Sequence, residues 1–207
     1  MTRPSWRLVA GVGVAVVVLA GFGGGAWLWS AAQHRQATET YADALARLGS
    51  SRGSQASPDT RAAAVRDLEV ALARHPSAAL APQAAYELGN LRYAERNYAG
   101  ARGAYEVAMA RGVPRTLRTL ARAGIGYAWE AERTFPKALE AFQAGLAELR
   151  PGEFYYDELL VDVARIQELS GNQAAAIETY RRVLRDVPGS LRADDVRSRL
   201  ASLGVRP

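Results

Sequence analysis

The stretch Tyr86–Met109, YELGNLRYAERNYAGARGAYEVAM, decides the fold, because its spacing of small and bulky residues recurs on both sides of it. Leu88 and Gly89 are followed by Tyr93, Tyr98, Ala101, Tyr105 and Ala108, with Asn97 at the break between two helix-length segments and Pro114 beyond the second. Gly89 and Ala101 are small where two helices must cross closely, while Leu88, Tyr98 and Tyr105 are bulky where the hairpin must be filled. Stepping from alanine to alanine finds the same pattern elsewhere. Ala64 heads AVRDLEVALARHP, Ala101 heads ARGAYEVAMARGVP, Ala138 heads ALEAFQAGLAELRP and Ala176 heads AIETYRRVLRDVP, at steps of 37, 37 and 38 residues. Four residues after each alanine stands Leu68, Tyr105, Phe142 or Tyr180. Each segment closes with a proline, Pro76, Pro114, Pro151 or Pro188, which cannot continue a helix.

This pattern resembles the tetratricopeptide repeat: two antiparallel helices in about 34 residues, with an L-G signature, an alanine and an aromatic four later, and a closing proline. The resemblance implies an all-α fold, a right-handed α-solenoid of stacked helical hairpins. The first helices are less regular than the second. Leu88 and Gly89 become Ile125 and Gly126, then Val163 and Ala164, and Ala85, Arg122 and Leu160 stand where the family's early tryptophan is expected.

Ahead of the repeats, Leu8–Trp29 is a run of 22 uncharged residues. At about 1.5 Å per residue it is long enough to cross a hydrocarbon core of about 30 Å. Trp6, Trp27 and Trp29 flank it where amphipathic rings sit at membrane interfaces. Arg3 and Arg7 precede it, which places a cytoplasmic N-terminus at 1–7, a single transmembrane helix at 8–29 and the repeats outside the cytoplasm, in the bacterial periplasm. A cleaved signal peptide, cut near Ser30–Ala32, is the competing reading, but the apolar run is longer than the 7–15 residues such a segment needs, and its late tryptophans suit an anchor. Gly21 and Gly25 form a GxxxG spacing, either a packing face for another membrane helix or simply the glycine common in such segments.

Residues 30–60 read as the first helix of a degenerate repeat, with Tyr41, Ala44, Leu45 and Leu48 on one face, followed by a turn-rich linker from Gly49 to Asp59. The repeat array spans 61–189. Residues 190–207 are expected to cap it with a helix that starts at Ser190 and buries Leu191, Leu200 and Leu203.

The chain of 207 residues has no cysteine, which excludes disulfides, thiolate zinc sites, covalent haem attachment and a lipidated N-terminal cysteine. Its formal charge of +5 is unevenly spread: Gln33–Arg122 carries 13 basic and 8 acidic residues, Ala123–Pro207 carries 11 and 13. The basic half lies next to the membrane segment, facing anionic headgroups, an acidic partner or simply solvent. Catalytic constellations are missing. There are two histidines, His34 and His75, with no HExxH and no pair at helical ligand spacing, and no phosphate-binding glycine loop; Lys137 is the one lysine. Gly124 and Gly126 form a bare G-x-G inside a helical segment, which reads as helix packing. Asp157 with Glu158 and Asp194 with Asp195 fall at expected helix starts, where they complement the dipole. No enzyme activity, cofactor, metal, nucleic acid or small-molecule substrate is expected.

What remains is surface. In tetratricopeptide proteins the first helix of each pair lines a concave groove that holds a peptide or partner helix. Carried over by the Leu88, Ile125 and Val163 alignment, this implies groove positions at Gln83, Tyr86, Asn90 and Tyr93, then Ala123, Tyr127 and Glu130, then Val161, Arg165 and Glu168. Arg111, Arg115, Arg118 and Arg122 form a basic row, suited to acidic termini or to a solvated rim. One membrane helix followed by exported tetratricopeptide hairpins in about 200 residues is similar to the YfgM-like family of ancillary SecYEG translocon subunits. That likeness implies a non-enzymatic scaffold contacting the translocon, chaperones and emerging clients. The cytoplasmic segment is shorter here than the family pattern, which bears on contacts in that compartment. The alternative is a membrane-anchored scaffold for cytochrome c maturation or for envelope and division assembly.

Overall fold

The protein is described by a computed structural model over residues 36–47, 58–109 and 112–205. The membrane segment with Gly21 and Gly25, the cytoplasmic N-terminus, His34, most of the linker and Arg111 lie outside the described residues. Among the described residues no helix is long and apolar enough to cross a membrane.

Those residues form nine helices and no strand: α1 (36–47), α2 (Pro58–Arg74), α3 (Ala81–Ala94), α4 (Tyr98–Ala108), α5 (Arg115–Ala131), α6 (Phe135–Leu146), α7 (Tyr156–Leu169), α8 (Gln173–Asp186) and α9 (Ala193–Ser202). From α2 onward each helix packs on its successor, and α3 also touches α5, an arrangement consistent with an α-solenoid. The alanines that mark the sequence repeat are buried: Ala64 in α2, Ala101 in α4, Ala138 in α6 and Ala176 in α8. Their followers Leu68, Tyr105, Phe142 and Tyr180 are buried too, so one face of every second helix is apolar by construction. α1 joins the stack through Tyr41, fully buried, whose hydroxyl donates to the His75 carbonyl at 2.9 Å.

The turns repeat as closely as the helices. α3, α5 and α7 each end with a left-handed residue, Arg96 (φ 61°), Arg133 (φ 57°) and Gly171 (φ 80°). In each, the next amide reaches back five residues: Asn97 N–H to Arg92, Thr134 to Trp129, Asn172 to Gln167. This is the Schellman closure, which satisfies carbonyls a helix end leaves open. Asn97 and Asn172 then cap the following helix by accepting from the Gly100 and Ala175 amides at 3.0 and 3.3 Å. α9 ends in the same closure, with Gly204 at φ 78° and the Val205 amide on the Leu200 carbonyl, so it ends as a first helix does.

Two boundaries differ from the sequence reading. α2 starts at Pro58 rather than at 61, because proline suits the first helical turn and Asp59 complements the dipole there. At the C-terminus, α9 starts at Ala193 and Leu191 is 99% exposed; Ala193, Val196 and Leu200 fill the interface instead, with Leu203 partly buried. Ser190 is not the cap residue. Its hydroxyl donates to Asp157 and accepts from the Arg192 amide, which ties the start of α9 to the start of α7.

Candidate functional site

Glycine at two positions opens the site. A Cβ on Gly89 would meet the Tyr105 ring at 2.5 Å, and a Cβ on Gly124 would meet the same ring at 2.5 Å from the other side. The ring of Tyr105, rooted on α4, therefore lies between α3 and α5 because both neighbours lack a side chain. Its hydroxyl donates to Asn90 Oδ1 at 2.9 Å, and Asn90 Nδ2 donates to Glu87 at 3.3 Å. Tyr86 tilts against Tyr105 with ring centroids 5.8 Å apart. One repeat later, Gly126 admits Phe142 by the same close approach, and Tyr127 packs edge-on against that ring at 5.2 Å.

These side chains and their neighbours enclose a cavity of about 200 Å³ bounded by Tyr86, Asn90, Tyr93, Tyr105, Tyr127 and Tyr155, with Leu120, Ala123 and Gly124 between them. Behind it stands Asp162 on α7, 1% exposed. Tyr127 donates to Asp162 Oδ2 at 2.7 Å, and the Tyr155 hydroxyl lies 3.2 Å from that of Tyr127. Arg165 grips Glu130 with two nitrogens at 2.9 and 2.7 Å and reaches Asp162 Oδ1 at 2.8 Å with a third. Burial pushes the Asp162 carboxyl up to about 6, against the opposing pull of the Tyr127 hydroxyl and of Arg165. Burial likewise holds the Tyr105 and Tyr127 protons on well above the ordinary phenol range, with Tyr86 adding to the first and the Asp162 charge to the second.

Of the ten groove positions expected from sequence, Tyr86, Asn90, Tyr93, Ala123 and Tyr127 border this one cavity. Glu130 and Arg165 form the ion pair beside it. Gln83 borders a separate, larger hollow of about 650 Å³ with Pro82, Val113 and Leu117. Val161 packs against the α7–α8 core cluster, and Glu168 is held by two of the three guanidinium nitrogens of Arg199. The three described members of the basic row pair with acids in the connection after α6: Arg115 with Glu153 at 3.2 Å, Arg118 with Glu148 at 3.6 Å and Arg122 with Glu148 at 2.7 Å.

Tyr105, Tyr155 and Asp162 belong to the site and were not among the expected positions. Asp162 had a signal, a lone acid in the apolar run Leu159–Val163. Tyr155 had none, because it enters from the turn before α7 in a left-handed conformation, φ 70°, that tyrosine rarely adopts. Among the described residues no three His, Asp or Glu stand where they could hold a metal ion. No protein-family model matches the chain, and no curated protein matches it.

Proposed function

We propose that this chain is a membrane-anchored, non-enzymatic tetratricopeptide scaffold that holds an extended segment of a partner protein along α3, α5 and α7. The observation that carries this reading is the convergence of five tyrosines, from four elements spread over seventy residues of sequence, on one small cavity. Rigid amphipathic rings that supply contact area at low entropic cost are what protein-recognition surfaces concentrate. The spacing supports the same reading, since stacked first helices place repeat-equivalent residues along one channel where a single strand of peptide can meet them all. With the uncharged run at 8–29 ahead of it, such a groove serves partners at a membrane, and the resemblance to ancillary translocon subunits makes exported clients and their chaperones the partners of choice.

Site-specific photocrosslinking tests the proposal. A crosslinking amino acid replaces Tyr93, which is 36% exposed at the cavity edge, or Val107 on α4, which is 51% exposed and outside the cavity. Adducts are expected at position 93 and not at 107. Translocon subunits or exported chains among them support the export reading, whereas haem-lyase or division proteins support assembly of those complexes. Equal labelling at both positions, or labelling at 107 alone, overturns the groove.

A further inference from the structure

Three hydroxyls of the cavity wall have their protons committed elsewhere. The Tyr105 proton is committed to Asn90 Oδ1 and the Tyr127 proton to Asp162 Oδ2. With Tyr127 donating to Asp162, the 3.2 Å contact between the Tyr127 and Tyr155 oxygens is made by the Tyr155 proton. Three phenol oxygens therefore keep only lone pairs for whatever enters, and a phenol whose proton is spent can only accept. The remaining wall is aromatic face, the aliphatic surface of Leu120 and Ala123, and at the edge Tyr86, Tyr93 and Asn90, whose Nδ2 donates to Glu87.

Charge points the same way. Near the first-helix face, Arg165 is bidentate to Glu130, Arg192 to Glu158 and Arg199 to Glu168. Asp162 is the carboxylate left over: it shares Arg165 instead of having a guanidinium of its own. An anionic guest would face acceptors and this excess negative charge. An aliphatic one would bury the Tyr105 and Tyr155 oxygens with no donor to meet them, which is unfavourable. A cation with N–H donors meets lone pairs, ring faces and the carboxylate behind them at once. The volume sets the size. About 200 Å³ is below the 300 to 1,000 Å³ of a site for a drug-sized ligand, so it takes one side chain.

We infer that this cavity seats a lysine or arginine side chain of the segment held in the groove, an inference that rests on the peptide-binding reading above. Tyr93 and Tyr86 stand at its edge, and the backbone of the bound segment runs past them. The left-handed backbone at Tyr155 fits this role, since it brings a third acceptor hydroxyl to the cavity at some conformational cost.

The test uses the full chain in detergent micelles and fluorescein-labelled 12-residue peptide pools with random flanks. One central position is fixed as lysine, arginine, norleucine, which is lysine's stem without the ammonium, or glutamate. Anisotropy titrations are expected to give at least about tenfold tighter binding for lysine and arginine than for norleucine, and weakest for glutamate. Asp162→Asn keeps the acceptor for Tyr127 and the side-chain shape; it should bring lysine to within about threefold of norleucine when both are measured on that variant. Should that variant fail to fold by circular dichroism, Tyr155→Phe removes one acceptor oxygen from an ordered ring and should also lower the lysine preference. Norleucine bound as tightly as lysine by the wild type overturns the cation seat and leaves the groove standing. An unchanged preference in the folded variant overturns it as well. No binding by any pool overturns both readings.

Discussion

Tyr105 is pinned between two glycines, and that makes the sign of a single methyl group depend on the ring. Gly124→Ala in α5 would ordinarily stabilise, because alanine is favoured over glycine in a helix interior by about 1 kcal/mol. Here the new Cβ lands 2.5 Å from Tyr105 Cζ, 2.6 Å from Cε2 and 2.9 Å from Cε1. Contacts that short force something to move. The ring has no room to retreat, since a Cβ on Gly89 would already lie 2.5 Å from Cε1 and 2.6 Å from Cδ1 on the opposite side. Moving the ring also breaks the Tyr105–Asn90 hydrogen bond. Overpacking of this sort costs about 1 to 3 kcal/mol, and loss of the bond adds about 1, so the net change is a destabilisation of about 1 to 3 kcal/mol after the propensity gain.

Replacing Tyr105 by leucine removes all three clashing atoms. In the Tyr105→Leu background, Gly124→Ala should therefore stabilise by up to about 1 kcal/mol, and the coupling between the two changes should be at least about 2 kcal/mol. For a chain of this size about 1 kcal/mol moves the melting temperature by about 2 to 4 °C, so both signs are readable in thermal melts. If Gly124→Ala raises the melting temperature with the tyrosine present, or lowers it equally in both backgrounds, the ring does not occupy the inter-helix gap and the site has been built wrongly.

The buried carboxylate predicts a pH dependence. The Asp162 carboxyl is raised from 3.8 to about 6, so between those values the folded chain holds a proton that the unfolded chain has released. Stability from this group is thus greatest below about pH 4 and declines as pH rises through 6, by about 3 kcal/mol in all. Chemical denaturation at pH 4.5, 5.5 and 7 should show wild type gaining on Asp162→Asn as pH falls; parallel curves would mean that the carboxyl titrates normally. The topology is the other expectation. A reporter active only after export, fused after Pro207, should be active, and the chain should stay in the pellet on carbonate extraction. An inactive reporter reverses the orientation, and release into the supernatant identifies a cleaved leader.

The fold was legible where one residue type has one structural use. Ala101, Ala138 and Ala176, read as contact points between helices, are fully buried, and Asn97, read as the break between two helices, caps the second of them. The turns were not legible in the same way. Gly171 marks its left-handed position openly, but Arg96 and Arg133 hold the equivalent conformation without any local signal, imposed by the helices on either side. Leu191 misled because a hydrophobe two residues ahead of a helix looks like part of it, whereas the tie from Ser190 to Asp157 sets where α9 begins. In the site, repeat spacing found the residues that share a helix face and missed those that arrive through space. Tyr127 meets Tyr155 and Asp162 across 28 and 35 residues of sequence, a separation that no periodicity encodes.

The cavity's position in the array follows from the same small residues. Gly89 faces Tyr105 as Gly126 faces Phe142 and as Ala164 joins the cluster of Tyr180. Had each repeat been identical, every junction would carry the same cleft. Among the described residues the Tyr105 ring is flanked by glycine on both first helices, whereas the position of Gly124 is held by Glu87 one repeat earlier and by Asp162 one repeat later. The Tyr105 ring ends in a hydroxyl that reaches Asn90 on the first-helix face, which Phe142 cannot do. The next junction instead sends Tyr127 back toward Asp162, which turns that acid's charge on the cavity and not on a second cleft of its own. The nearly regular scaffold thus differs between junctions at two positions, Gly124 between the acids Glu87 and Asp162, and Phe142 between the tyrosines Tyr105 and Tyr180. Reversing Phe142 to tyrosine would add a hydroxyl to a ring that Gly126 admits closely and that Tyr127 already meets edge-on, so the change tests packing at that junction as well as polarity.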